Sequence, residues 1–158
     1  MSDNEYIEYI LQNYSNMIYR LAISITKNKT NSEDIMQEVF VRLIKKRPAF
    51  ENQEHEKAWL LRVTINCSKK LIYSAWNRHT VSLNEDLKFE NEEVNDVYSV
   101  VMKLPERYRK VIHLFYYEDL PIKEISKILN SSEGTIKSRL SRAREILKTK
   151  MKGGEWDE

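Results

Sequence analysis

The chain has 158 residues, of which 32% are charged and 41% hydrophobic, and its formal net charge at pH 7 is +2. This length allows one ordinary domain or two small ones, each large enough for a helical core. A single cysteine excludes an intrachain disulfide framework and a cysteine-rich zinc site. Because glycine and proline occur only three times each, a hairpin-rich β fold is disfavoured and an all-α protein is favoured.

The N-terminus does not resemble a targeting sequence. No basic segment is followed by an apolar run, and no stretch approaches the roughly 18 apolar residues of a membrane helix. We therefore expect a soluble, intracellular protein of the cytoplasm.

Apolar residues at helical spacing from Tyr6 to Ile25 predict a long scaffold helix over residues 5–27. The polar run 28–31 interrupts this pattern, and Asn31 is expected to cap a second helix from Ser32 to Lys46. The second helix has a wide apolar arc made of Ile35, Met36, Val39, Phe40, Leu43 and Ile44.

The remaining face of the second helix has an unusual composition. It carries acidic and amide side chains beside one exposed apolar residue: Asp34, Gln37, Glu38 and Val41. Such a face can dock a protein partner, but a merely solvated face explains the pattern equally well.

A third helix is predicted from Lys57 to about Asn77, after a polar loop over residues 51–56. Its inward positions are Leu60, Val63, Thr64, Cys67, Leu71 and Ala75. Its outward positions combine cations with aromatic side chains: Arg62, Asn66, Lys69, Lys70, Tyr73 and Trp76. This combination is typical of surfaces that hold phosphates and unstacked bases, although the aromatics would also suit an interdomain contact. Cys67 lies on the buried face and is predicted to be a small core residue.

The composition changes over residues 80–96, where six acids meet one base and the helical pattern lapses. We predict a flexible acidic linker there, between a domain at 1–79 and a second domain at 97–152. The second domain is expected to contain a continuous helix over the run from Leu104 to Asp119.

The segment from Leu120 to Lys150 predicts a helix-turn-helix. The first helix has an apolar stripe formed by Ile122, Ile125, Ile128 and Leu129. Asn130 suits the left-handed turn, and Ser132 can cap the next helix. That helix buries Ile136, Leu140, Ala143 and Leu147.

The other face of this last helix is basic. Opposite the apolar stripe lie Lys137, Ser138, Ser141, Arg142 and Glu145, flanked by Arg139 and Arg144. Between Pro121 and Lys152, nine basic residues stand against three acidic ones. This surplus favours nucleic acid as the ligand; the alternative is a solvated amphipathic hairpin within a helical bundle.

No residue pattern indicates catalysis. His55, His79 and His113 are scattered, and no carboxylate or His/Cys cluster has metal-ligand spacing. We expect no enzymatic activity, no cofactor, no metal and no small-molecule substrate.

Three segments together resemble bacterial sigma factors: SEDIMQEVFVRLIKK, AWLLRVTINCSKKLIYSAWNR and LPERYRKVIHLFYYEDLPIKEISKILNSSEGTIKSRLSRAREIL. With only an acidic linker between two short domains, the chain is similar to the extracytoplasmic-function group of the sigma-70 family. The resemblance covers about residues 14–150. It implies an all-α protein of two small domains, a region 2-like one and a region 4-like one.

The resemblance also implies partners and residue roles. The helix 32–46 would dock on the clamp of the polymerase largest subunit through Asp34, Gln37, Glu38 and Val41, with Phe40 in the core. The third helix would hold the melted −10 strand through Arg62, Asn66, Lys69, Lys70, Tyr73 and Trp76. The last helix would read the −35 duplex, with Lys137, Ser138, Ser141 and Arg142 towards bases and Thr135, Arg139 and Arg144 towards phosphates. The polymerase flap and an anti-sigma factor are further expected partners. Asn130 stands where the family usually has glycine, and we expect the turn to tolerate it.

Two alternatives remain at the level of sequence. A free-standing helix-turn-helix regulator would bind duplex operator without polymerase, but it would leave the Asp34 face without a role. A nucleic-acid enzyme, such as a recombinase or nuclease, would need ligands beyond Asp34 and Glu38.

Overall fold

Seven α-helices and one π-helical turn form the part of the chain described by the computed structural model, residues 2–77 and 96–151. The chain divides into two units, Met1–Asp86 (unit 1) and Leu87–Glu158 (unit 2). No strand occurs within the described ranges, and the predicted all-α class is confirmed. Residues 80–95 of the predicted linker lie outside those ranges, and Asp96 already begins a helix. Among the described helices, none is long and apolar enough to cross a bilayer.

Unit 1 consists of three helices that pack on one another: α1 (Asp3–Thr26), α2 (Lys29–Lys46) and α3 (Gln53–Asn77). Its fully buried large side chains are Ile10, Ile18, Leu21, Ile35, Leu43, Leu60, Leu61 and Ile65. Each such side chain contributes about 1.5–3 kcal/mol on transfer from water. The apolar stripe predicted for α1 does form part of the core. In α3 the prediction is only partly right, because Leu61 and Ile65 are buried without having been predicted inward and Val63 and Leu71 are half-buried.

The junction of α1 and α2 differs from the prediction. Lys27 adopts the left-handed conformation (φ 56°) and its N–H bonds the Ile23 carbonyl, which ends α1. The Asn28 side chain then accepts the N–H of Asn31 at 2.8 Å. Asn28 is thus the cap, and the predicted cap at Asn31 is wrong because its N–H is the group being capped.

Helix α3 starts four residues earlier than predicted, at Gln53 instead of Lys57. The Asn52 side chain accepts the His55 N–H at 2.8 Å and so caps the helix. The prediction of a loop over 51–56 is wrong for its last four residues, because the first turn of α3 is polar and shows no apolar periodicity. Ile44, which was assigned to the apolar arc, is 45% exposed.

A buried carboxylate joins α1 to α3. Glu56 is only 7% exposed and accepts hydrogen bonds from the hydroxyls of Tyr9 (2.8 Å) and Tyr14 (2.6 Å). Burial, followed by the hydrogen bond to Glu56, raises the pKa of Tyr14 far above its ordinary value. These bonds satisfy a charge that would otherwise be costly to bury.

Unit 2 is built around its last helix. Helices α4 (Asp96–Met102), α5 (Glu106–Ile112) and α6 (Ile122–Leu129) all pack on α7 (Glu133–Met151). The fully buried side chains are Leu104, Ile112, Leu114, Ile125, Ile136, Leu140, Val111 and Ala143.

The predicted continuous helix from Leu104 to Asp119 is wrong beyond Ile112. The chain widens there into a π-turn (His113–Tyr117), in which the Glu118 N–H bonds the His113 carbonyl at 3.1 Å. The His113 Nε2 and Glu118 Oε2 atoms lie 2.9 Å apart, with side chains 2% and 3% exposed. This buried side-chain pair ties the two ends of the π-turn together, which helical periodicity does not reveal.

We predict that Tyr14→Phe lowers the free energy of unfolding of unit 1 by about 1–3 kcal/mol, because buried Glu56 loses one of its two hydroxyl donors. Urea denaturation followed by helical circular dichroism measures the loss. Tyr19→Phe, on the same helix, is the matched control and should change stability little. An equal loss in both variants would show that the bond to Glu56 contributes nothing specific.

The pH dependence gives a second readout of the same contact. Since the pKa of Tyr14 is raised in the folded state, its contribution to stability is present below about pH 10 and is lost as the pH rises further. The fall in stability above that pH should be smaller in Tyr14→Phe than in the wild type.

Candidate nucleic-acid interface

The turn between α6 and α7 has the geometry of a helix-turn-helix. Asn130 adopts the left-handed conformation (φ 52°, ψ 49°) and ends α6. The Ser132 hydroxyl accepts the Thr135 N–H at 3.1 Å, which caps α7. Both predicted turn features are therefore confirmed. An Asn in place of Gly is accommodated, as expected for a side chain that tolerates this conformation.

The polar face of α7 is open to solvent in unit 2. Ile136, Leu140 and Ala143 of the predicted apolar stripe are buried, whereas Leu147 is half-buried, so the predicted division into two faces is confirmed for the first three of these residues. The seven predicted DNA contacts lie on the surface: Thr135 and Arg139 are half-buried, and Lys137, Ser138, Ser141, Arg142 and Arg144 are exposed.

Two of these arginines have partners that sequence reasoning missed. Arg142 lies 3.5 Å from the Glu145 carboxylate, with side chains 65% and 67% exposed. The Arg144 Nε–H donates to the Tyr116 hydroxyl at 2.7 Å. No signal in the sequence indicates the second contact, because its residues are 28 positions apart and the π-turn intervenes.

On α2 in unit 1, the four predicted partner-docking residues Asp34, Gln37, Glu38 and Val41 are exposed. Glu38 pairs with Arg42 at 3.2 Å, one turn further along the helix. Val41 is 41% exposed and Ile44, three residues on, is 45% exposed. The misassigned Ile44 thus adds a second apolar side chain to this face.

On α3, the exposed residues include the predicted cations and one aromatic side chain: Arg62, Asn66, Lys69, Lys70 and Tyr73. Tyr73 is 69% exposed, which is high for a ring of that size. The side chain of Trp76 lies outside what the structure describes. The predicted inward positions Leu60, Thr64 and Cys67 are buried.

Helices α2 and α3 pack on each other, and Cys67 of α3 is buried. Burial raises the pKa of the Cys67 thiol, and the charges of Arg42, Glu38 and Lys70 also act on it.

Within residues 2–77 and 96–151, no three His, Cys, Asp or Glu side chains are grouped to hold a metal ion. His55 accepts the Glu51 N–H through Nδ1 at 3.2 Å, and His113 pairs with Glu118. Both contacts stabilise local turns.

Two protein-family models match the chain: Sigma-70 region 2 over residues 10–78 and Sigma-70, region 4 over residues 95–147. The chain is similar to the ECF RNA polymerase sigma factor SigM of Bacillus subtilis, with 34% identity covering 96% of this chain and 99% of the relative. It is also similar to the ECF RNA polymerase sigma factor SigW of Bacillus subtilis, with 30% identity covering 95% and 91%.

Solved structures give the same fold. The sigma factor RpoE from Bartonella quintana, in complex with the anti-sigma factor NepR, matches with a TM-score of 0.78 and 23% identity, covering 92% of this chain and 96% of that one. CnrH, in complex with the cytosolic domain of CnrY, matches with a TM-score of 0.71 and 20% identity, covering 96% and 91%.

Glu145 is the one predicted outward residue of α7 with a negative charge, and it pairs with Arg142. We predict that Glu145→Gln tightens binding to duplex DNA by about two- to fivefold at low salt, because a repulsive charge is removed and Arg142 is released. Fluorescence anisotropy with a labelled duplex measures the affinity. The gain should shrink at higher salt as the charges are screened.

Glu106→Gln is the control. Glu106 pairs with Lys110 on α5 at 3.5 Å, so the variant makes the same change in net charge on a different helix. An equal gain in both variants would mean that only the total charge of the chain matters.

Proposed function

Because this chain belongs to the extracytoplasmic-function group of the sigma-70 family, we propose that its three exposed faces carry the separate steps of promoter recognition. The chain is a sigma factor that directs core RNA polymerase to promoters and initiates transcription. One observation supports three separate binding roles. The polar faces of α2, α3 and α7 are all exposed, and they differ in the chemistry of their side chains.

The α2 face binds core polymerase. Its acidic and amide side chains surround Val41, which is 41% exposed, and an apolar centre with a polar rim is the usual anatomy of a protein interface. Asp34, Gln37 and Glu38 supply the polar contacts to the clamp of the largest subunit. Arg42 holds Glu38 through an exposed pair that contributes little energy but restricts its rotamers.

The α3 face holds the melted −10 strand. Lys69, Lys70 and Arg62 neutralise phosphates, Asn66 donates to a base or sugar, and Tyr73 offers a ring on which a base can stack. Stacking on such a ring offsets the free energy that is lost when a base leaves the duplex. We assign Trp76 to the same face from the sequence alone, because it follows Tyr73 by three residues.

The α7 face reads the −35 duplex. Lys137, Ser138, Ser141 and Arg142 face bases, and Thr135, Arg139 and Arg144 face phosphates, as in other helices that lie in the major groove. In this arrangement hydroxyl and guanidinium groups select base edges, while the flanking donors set the register on the backbone.

Two moderate DNA contacts on two units act together when polymerase sets the distance between them. The first binding event raises the effective concentration of the second contact, so binding is tight only where both elements occur at the right separation. In this proposal the chain comprises a region 2-like domain at 1–79, a linker at 80–96 and a region 4-like domain at 97–152. It makes and breaks no covalent bond and therefore needs no cofactor and is not an enzyme.

The proposal also includes two further protein partners of the chain. RpoE was solved in complex with the anti-sigma factor NepR, and CnrH in complex with the cytosolic domain of CnrY. We propose that an anti-sigma factor covers the polymerase-binding surface of this chain in the cytoplasm. The polymerase flap is the proposed docking site for unit 2.

The experiment that tests the function is run-off transcription on fragmented genomic DNA with core polymerase that lacks any sigma subunit. Addition of the protein is expected to produce discrete new start sites, and alignment of their upstream DNA should show two elements at constant separation. Operator binding by the protein alone, without any new start sites, would instead support a free-standing regulator.

A charge-reversal variant makes the test specific to the α2 face. Asp34→Lys should abolish the new start sites while leaving duplex binding by the free protein unchanged, because α7 belongs to the other unit. Lys29→Asp, also exposed on α2, is the control and should retain initiation. Loss of duplex binding in Asp34→Lys would contradict the assignment of separate faces.

The α3 face leads to a separate prediction. Tyr73→Ala should slow open-complex formation by about tenfold, since stacking of one base on an aromatic ring contributes roughly 1–3 kcal/mol, and should leave closed-complex binding nearly unchanged. Permanganate footprinting measures opening, and a filter-binding assay measures the closed complex. Tyr73→Phe keeps the ring and should behave as the wild type, and Trp76→Ala should resemble Tyr73→Ala. Equal losses in both complexes would count against stacking.

A further inference from the structure

The π-turn (His113–Tyr117) presents two aromatic side chains to an arginine of α7. The Arg144 Nε–H donates to the Tyr116 hydroxyl at 2.7 Å. The guanidinium carbon also lies 5.6 Å from the ring centroids of Phe115 and of Tyr116. Arg144 is therefore held by a hydrogen bond and by two ring contacts although it is exposed.

The position of Tyr116 depends on the π-turn. In an uninterrupted α-helix Tyr116 would follow Ile112 by four residues and share its face, and Ile112 is 2% exposed. In the structure the chain widens after Ile112 and Tyr116 is 50% exposed. The change of helical geometry thus brings the ring to the surface where α7 carries Arg144.

Side-chain contacts hold the π-turn on its buried side. His113 and Glu118 form a pair at 2.9 Å that is almost fully buried, and the His113 ring stacks on Tyr117 with centroids 5.5 Å apart. A buried polar pair is stable only when both partners are satisfied and held in place. Single π-turns within α-helices occur frequently at functional sites.

We propose that Tyr116 is a positioning residue for Arg144, which it orients towards a phosphate of the −35 duplex. The proposal rests on the proposed DNA-reading role of α7. Tyr116 accepts from Nε, so the donors on the two terminal nitrogens of the guanidinium are the ones that reach the phosphate. The two rings restrict the rotamers of a long side chain before DNA arrives, which reduces the entropy lost on binding.

Arg144 and Arg142 differ in the charge of the side chain that each of them contacts. Arg142 pairs with the Glu145 carboxylate, and that negative charge must be displaced or tolerated when a phosphate approaches. The hydroxyl of Tyr116 is neutral, so it orients Arg144 without cancelling its charge. A neutral hydrogen-bond acceptor leaves the positive charge of the guanidinium uncompensated, as expected for a group that binds an anion.

A purely structural reading assigns the same contact to holding α7 against the π-turn. That reading predicts a loss of folding stability in Tyr116→Phe and an equal loss of DNA affinity whether or not Arg144 is present. The positioning role predicts that the hydroxyl matters for DNA only through Arg144. A double-mutant cycle separates the two.

The test uses the full-length protein and a fluorescent duplex of random sequence, because phosphate contacts are independent of sequence. Anisotropy titrations at several salt concentrations measure the affinity and its salt slope. Arg144→Ala should reduce the number of released counterions by about one. Tyr116→Phe should weaken binding by about three- to fivefold, as expected for loss of one solvent-exposed hydrogen bond of ordinary strength, and should cause no further loss in the Arg144→Ala background.

Tyr117→Phe is the matched control, because it removes the hydroxyl of the adjacent tyrosine, whose ring packs on His113 and Tyr98; it should bind as the wild type. If Arg144→Ala leaves affinity and salt slope unchanged, the proposed duplex-facing role of this residue fails. If Arg144→Ala weakens binding but Tyr116→Phe matches Tyr117→Phe, or weakens binding equally in both backgrounds, the positioning role alone is overturned.

Discussion

Packing on α7 is the interaction on which unit 2 depends. Helices α4, α5 and α6 all pack on it, and Ile136, Leu140 and Ala143 are buried. Since an α-helix has 3.6 residues per turn, one buried stripe leaves the opposite face to solvent. The same helix therefore holds the core together and leaves its cations exposed. A substitution on the buried stripe would disturb both.

Unit 1 is stabilised in a different way from unit 2. Its three long helices bury a continuous apolar core, and Glu56 adds a polar tie between α1 and α3 through Tyr9 and Tyr14. Because both hydroxyls satisfy the carboxylate, the buried charge fixes how the two helices lie against each other without an unpaired group. The scaffold also packs α2 against α3 and leaves the acidic face of α2 and the basic face of α3 exposed.

Much of the architecture could be predicted from periodicity. The helix-turn-helix followed from Asn130 and Ser132, and the structure shows the left-handed turn and the cap at those residues. The helix boundaries were less predictable, because capping depends on which side chain reaches a free N–H. Asn28 and Asn31 have the same side chain, and only the backbone conformation decides that Asn28 caps α2. The polar first turn of α3 was missed since it carries no apolar signal.

The sequence by itself determined the all-α class, the composition of the three polar faces and the division of α7 into a buried and an outward side. These properties follow from spacing along one helix, which is a local quantity. Tertiary structure alone decided the contacts that regular helical spacing does not produce: Glu56 with two tyrosines, His113 with Glu118 across the π-turn, and Arg144 with Tyr116. The last of these requires the π-turn, whose wider winding is stabilised by a buried pair and not by any local preference. Long-range contacts of this kind depend on how helices pack, and helix packing is not encoded in the spacing of any single helix.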